Sequence, residues 1–166
     1  MRVSIGADQF RHTMGHLAGG VTVVTARDGD GRAWGMTASA VTSLSLEPPM
    51  VLVCIDRAAS IHDLLASSAT FGINVLAEDQ EAIARRFADR ERHGYDEPGG
   101  ERSSGGERSP GGLPLVPGAL AHVEVRRAAV YDGGDHSIIT GTVVWSAARD
   151  GRPLCYFRSG YTRLAP

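Results

Sequence analysis

Gly35-Met36-Thr37-Ala38-Ser39-Ala40-Val41-Thr42-Ser43-Leu44-Ser45-Leu46-Glu47-Pro48-Pro49-Met50-Val51-Leu52-Val53-Cys54-Ile55-Asp56 is the stretch whose reading decides the fold. Its first half carries no charge and no aromatic ring and consists mostly of Ala, Ser and Thr in an extended pattern. The double proline stops it, because proline brings no ladder donor and fixes φ. Met50-Val51-Leu52-Val53-Cys54-Ile55-Asp56 then reads as a continuous apolar strand, the pattern of a central position in a sheet.

Working outward, strand and turn signals dominate both flanks. Val21-Thr22-Val23-Val24-Thr25-Ala26 is β-branched, and Asp28-Gly29-Asp30-Gly31 reads as the hairpin turn leading to a strand over residues 33–45. Residues 70–76, 119–131, 137–147 and 153–164 are further strand-like stretches. Asp132-Gly133-Gly134-Asp135 and Arg149-Asp150-Gly151-Arg152 supply turns between the last three. Helices are few. Asp8 is placed to cap a first one, with Phe10, Met14 and Leu17 on one face. Ser60 opens a second over 61–68, with Asp63 three residues on as in a capping box. A third covers 79–90, with Ile83 and Phe87 inward and Arg85, Arg86 and Arg90 outward. Strands joined by tight turns imply an antiparallel sheet curled into a barrel with a few flanking helices. A parallel sheet needs a helix after nearly every strand.

Composition narrows the class. The 166 residues suit a single domain over 1–166, and 42% apolar content excludes a disordered chain. A net charge of −2 argues against a nucleic-acid or membrane-surface partner. The longest apolar runs are far short of the ~18 residues of a membrane span. Cys54 and Cys155 lie in apolar runs and read as reduced, in keeping with a cytoplasmic protein. All 17 basic residues are arginine, which excludes Schiff-base and P-loop lysine chemistry. Residues 94–112 hold 7 Gly, 2 Pro and 3 Ser among 19, and read as a flexible Gly-rich insertion.

No dinucleotide-binding glycine fingerprint follows a strand, and there is no Gly-x-Ser-x-Gly elbow. His12 and His16 are four apart but turn away from the Phe10 face without a partner acid; they read as a solvated face, and no metal site is expected. The run from Gly35 to Ser45 has two readings: a crowded strand, or a wall of small side chains against a flat aromatic cofactor. Ser60 is a helix cap or a phosphate partner, and Arg86 a solvated charge or a ligand for the same group. His136, next to Asp135 at a turn, is either merely exposed or faces a cofactor cleft.

The order of these motifs resembles the short flavin reductase family, the reductase components of two-component flavin monooxygenases. The likeness rests on Phe10-Arg11-x-x-Met14-Gly15, Ala18-Gly19-Gly20-Val21-Thr22-Val23-Val24-Thr25 and the whole Gly35 to Asp56 stretch. It continues through Phe71-Gly72-Ile73-Asn74-Val75-Leu76, Ala84-Arg85-Arg86-Phe87-Ala88, Gly118-Ala119-Leu120-Ala121, Gly134-Asp135-His136 and Pro153-Leu154-x-Tyr156-Phe157. It implies an antiparallel six-stranded split β-barrel that binds FMN or FAD and takes hydride from NADH or NADPH onto flavin N5. The reduced flavin would pass to a separate monooxygenase. A non-catalytic flavin carrier on the same barrel is the alternative. The resemblance sets the isoalloxazine ring along Met36, Thr37, Ala38, Ser39 and Ala40, near Thr42 and Ser43. The backbone of Cys54, Ile55 and Asp56 lies on its far side, and Ser60, Arg86 and Phe87 at its phosphate and ribityl end. His136 falls beside the nicotinamide, with Tyr156, Arg158 or Tyr161 closing that side. A homodimer with flavin near the subunit interface is also implied.

Overall fold

The computed structural model describes residues 5–89 and 107–165. The elements run α1 (Ala7–Met14), β1 (Gly19–Gly20), β2 (Thr22–Arg27), β3 (Ala33–Ala38), β4 (Val41–Leu46), β5 (Pro49–Asp56), α2 (His62–Ser67), β6 (Thr70–Val75) and α3 (Glu81–Ala88). The long hairpin β7 (Ala121–Gly133) and β8 (His136–Ala148) follows, then β9 (Leu154–Phe157) and β10 (Gly160–Arg163). The protein is mainly β with few helices, and every strand pair is antiparallel.

Seven strands form the main sheet in the order β3-β2-β6-β7-β8-β5-β4, while β1, β9 and β10 form a small second sheet. The count is seven rather than the expected six, and among the described residues no ladder joins β3 to β4. Yet these two edge strands are consecutive in the chain, separated only by Ser39 and Ala40. Three Cα steps span at most about 11 Å, so the sheet must curl until its edges stand close together. The Cys54 amide donates to the Ala40 carbonyl at 2.9 Å, fastening the crossing point to β5.

The expected single strand over 33–45 is therefore two, divided where the chain changes sheet edges. The stretch 153–164 is likewise two strands, reversed through Arg158 (φ 47°) and Ser159 (φ 64°), a left-handed turn built without glycine. The strands covered on both faces are β2 and β6, not β5. Val24 and Ala26 join one core with Val53, Ile55, Leu65, Phe71 and Ile139. Val23, with Val21 just ahead of the strand, joins another with Leu76, Ala84, Val116 and Leu154. β5 is internal, between β8 and β4, with Val53 and Ile55 buried.

The helix termini also differ from expectation. Gly6, not Asp8, precedes α1, and Asp8 pairs with Arg11 instead. None of α1 is buried, and Phe10, Met14 and Leu17 are exposed. Ile61 precedes α2 without any side-chain cap, so Ser60 and Asp63 do not form a capping box. Gln80 precedes α3; its side chain accepts from the Ala77 amide at 3.0 Å and donates to the Pro117 carbonyl at 2.8 Å.

Arg90, expected at the end of the third helix, and residues 94–106 of the Gly-rich stretch lie outside the described residues. The last six residues of that stretch form a packed turn. Ser109 is buried and bonded to Leu113, the Leu115 amide donates to Glu107, and Gly111 N–H donates to the buried Glu124 carboxylate at 2.9 Å. No described helix is long and apolar enough to cross a membrane.

Candidate active site

A cleft of about 310 Å³ opens where the curled sheet, the end of α3 and the β9–β10 hairpin meet. That volume is at the lower end of the range for small-molecule sites, ~300–1,000 Å³. One wall is β3 and its exit: Gly35, Met36, Thr37 and Ser39. A second is the end of β5 and the turn beyond it, Asp56, Ala59, Ser60 and Ile61. Phe87, Ala88 and Asp89 close it from the end of α3, Tyr156 and Tyr161 from the hairpin, and Val21 from the entry to β2.

Local chemistry fixes each wall. Thr37 donates its hydroxyl to the Ala84 carbonyl at 2.6 Å and so holds β3 against α3. Asp56 ends β5, and the Ala58 amide donates to its carboxylate at 2.9 Å, the side-chain turn that aspartate favours. Tyr156 and Tyr161 are register partners on β9 and β10, and their rings meet edge to face at 5.3 Å. The Arg85 guanidinium lies 5.0 Å from the centre of the Tyr161 ring and is paired with Glu81 at 2.7 Å. Burial holds the Tyr161 phenol above its usual 10.0, so it stays a neutral hydrogen-bond donor.

Eight of the anticipated residues line the cleft: Met36, Thr37, Ser39, Asp56, Ser60, Phe87, Tyr156 and Tyr161. The others do not. The side chains of Ala38 and Ile55 belong to the core, and Ala40, Thr42, Ser43, Cys54, Arg86, Arg158 and His136 stand outside its lining. His136 is nevertheless the direct register partner of Asp56, one strand over from the wall. Its Nδ1 is 2.7 Å from the exposed Asp135 carboxylate, and that hydrogen bond, reinforced by the imidazole charge, holds Asp135 below its usual range. Among the residues missed, Ala88, Asp89 and Ile61 adjoin anticipated ones. Val21 carried no signal beyond that of a buried strand.

The donor set suits a flat, polar-edged ring. Uncharged side chains without rings form the β3 wall, aromatic rings close the cleft from α3 and the hairpin, and the Ser60 hydroxyl has not been consumed by a helix cap. The chain as a whole also matches a known family. Residues 14–165 match the flavin reductase like domain. This chain belongs to the flavin reductase like family. It is 39% identical over 156 residues to the FMN reductase (NADH) SmoA of Agrobacterium fabrum, covering 94% of this chain and 85% of that one. It is 41% identical over 160 residues to an NADH-dependent FAD reductase of Streptomyces globisporus, covering 95% and 86%. Among solved structures, BorF, the flavin reductase component of a bacterial two-component tryptophan halogenase, superposes with a TM-score of 0.86 at 36% identity, over 97% of this chain and 99% of that one.

Proposed function

We propose that this protein is an NADH-dependent flavin oxidoreductase that reduces FMN or FAD and supplies the product to a separate flavin-dependent monooxygenase. The observation that carries this reading is the cleft itself: Gly35, Met36 and Thr37 of β3 and a tyrosine pair line one cavity, within a family whose members include NADH-dependent FMN and FAD reductases. Likeness to the reductase component of a two-component halogenase supports the separate partner. NADPH is the other donor of the same chemistry.

When bound, flavin supplies N5 as the acceptor of a hydride from nicotinamide C4. The protein's part is to bind and orient. Met36, Thr37, Ala38, Ser39 and Ala40 form the surface along the ring, with Thr42 and Ser43 beyond the strand crossing. The backbone of Cys54, Ile55 and Asp56 lies on the ring's far side; the Cys54 amide is spent on the Ala40 carbonyl and fixes that edge of the cleft. Ser60, Arg86 and Phe87 serve the phosphate and ribityl end. His136, steadied by Asp135, takes the nicotinamide side with Tyr156, Tyr161 and Arg158. Hydride transfer between two bound rings requires no side chain as acid or base.

The curled sheet with consecutive edge strands supports a split barrel, and the exposed apolar residues of α1 and the turn after it (Phe10 and Met14, then Leu17) support a homodimer that covers them. The two free cysteines fit a reducing cytoplasm. Purified protein mixed with FMN or FAD and NADH or NADPH tests the function through the nicotinamide absorbance. Flavin-dependent oxidation is expected; tight flavin binding without oxidation would make it a carrier instead. His136→Ala is expected to raise the apparent KM for NADH or lower turnover, and unchanged steady-state kinetics would remove His136 from that role.

A further inference from the structure

Beyond Asp56 the chain leaves the sheet, and the five residues from Arg57 to Ile61 form an arch with both feet on neighbouring residues of one strand. The first foot is Arg57: its amide donates to the Asp135 carbonyl at 3.0 Å and its Nε to the His136 carbonyl at 3.3 Å. The second is His62, whose Nε2 lies 2.9 Å from the hydroxyl of Ser137, the residue after His136. Ala59, Ser60 and Ile61, which line the cleft, ride on top of this arch.

We infer that His62 is a positioning residue: through Ser137 it locks the Ser60 wall of the cleft in place relative to His136. The inference rests on the assignment of Ser60 to the flavin end and His136 to the nicotinamide end. The tautomer follows from the partners. Asp63 lies 2.9 Å from Nδ1 and accepts a hydrogen bond from its N–H, so Nε2 offers a lone pair and the Ser137 hydroxyl donates to it. The order Ser137, His62, Asp63 is that of a hydrolytic triad, but its setting is not. Ser137 is only 4% exposed, on a strand paired from both sides, where no substrate carbonyl reaches its oxygen. Asp63 stands fully in water and steers the ring only weakly. What remains is a tie between a cleft wall and β8, buried where it meets Ser137.

Glutamine and asparagine substitutions separate this role from mere packing. In His62→Gln the side-chain amide nitrogen reaches the place of Nε2 and keeps the tie, with the Ser137 hydroxyl now accepting. The shorter side chain of His62→Asn reaches only the place of Nδ1. In steady-state kinetics His62→Asn and His62→Ala should each raise the flavin KM about fivefold, the effect of one lost hydrogen bond. The NADH KM should stay unchanged, because His136 is still held by its ladder and by Asp135. His62→Gln should restore the flavin KM, and Ser137→Ala should reproduce the loss without adding to that of His62→Ala. Equal flavin KM values for His62→Asn, His62→Gln and wild type would overturn the inference, as would covalent labelling of Ser137 by a fluorophosphonate. Ser60→Ala, run alongside, tells the two failures apart. A raised flavin KM there with unchanged His62 variants sinks the positioning role alone; no change in either sinks it together with the assignment of this wall to flavin.

Discussion

Two polar clusters, one inside the sheet and one at its rim, pair histidine with short polar side chains for opposite ends. Inside, fully buried Asn74 donates to the Val23 carbonyl at 3.0 Å, while its oxygen accepts from the Val116 amide at 3.0 Å and His122 Nδ1 at 2.8 Å. Thr25, also buried, stands 3.5 Å from the Asn74 amide nitrogen and donates to the Pro114 carbonyl at 2.9 Å. The Asn74 oxygen holds Val116 and Thr25 holds Pro114, fastening that passage to the sheet, while the Asn74 nitrogen ties β6 to β2. At the rim, His62, Asp63, Asp135 and His136 form short pairs whose carboxylates stand in water, and the Ser60 hydroxyl takes no part in capping α2. The inner cluster is closed and serves stability. The outer one is open toward solvent and can serve a ligand.

That contrast can be broken first at Asn74. Replacing it with Leu keeps the volume but strands the buried Val23 carbonyl and Val116 amide and takes a partner from half-buried His122, at a cost of about 3 kcal/mol in urea unfolding. Gly72→Ala is next. A β-carbon there would stand 2.4 Å from the Thr25 hydroxyl oxygen, which is held in place by Pro114. The expected loss is about 2 kcal/mol by the same measurement. A comparable change at the rim, Ser60→Ala, should leave the unfolding midpoint where it is while weakening flavin binding, read by fluorescence titration.

The smallest effect concerns pH. Burial holds the His122 imidazole below its ordinary 6.5, so the unfolded chain takes up a proton there before the folded one does. Its neutral form therefore favours the fold above pH 6.5, and that advantage shrinks as pH falls from this value through the lower one of the folded state. Urea midpoints measured between neutrality and about pH 5 should decline, less steeply in His122→Gln. An identical slope would place the pH sensitivity elsewhere.

Much of the fold could be read from the chain because local signals agreed with tertiary demands. Pro48-Pro49 ends one strand and starts another, Gly134 (φ 80°) makes the β7–β8 turn, and Asp28 anchors its hairpin through the Trp34 indole and two backbone amides. The break at Ser39 and Ala40 carries no local signal, since small residues continue through it; it arises only because β3 and β4 belong to opposite edges. The Arg158-Ser159 reversal lacks the glycine that normally announces such a turn. Ser60 and Asp63 matched a capping pattern, but Asp63 turns to His62 and the helix starts uncapped.

The site divided along the same line. Met36, Thr37, Ser39, Asp56, Ser60, Phe87, Tyr156 and Tyr161 were legible as residues of one cleft, the β3 residues and Ser60 from their type and order, the others from the resemblance to the family alone. Ile55 was legible as a segment but not as a side chain, since strand alternation turns it into the core. The bond between His62 and Ser137 spans 75 positions and is set entirely by how β5 and β8 pair.

The most direct test fills the cleft. Ser39 is exposed at its wall, so Ser39→Trp should insert an indole where the ring is placed without disturbing either core. Flavin-dependent NADH oxidation should be present in the wild type and reduced at least ~10-fold in the variant at equal thermal stability. Equal rates from the two proteins would contradict the placement of flavin in this cleft, and the absence of oxidation from both would contradict the activity.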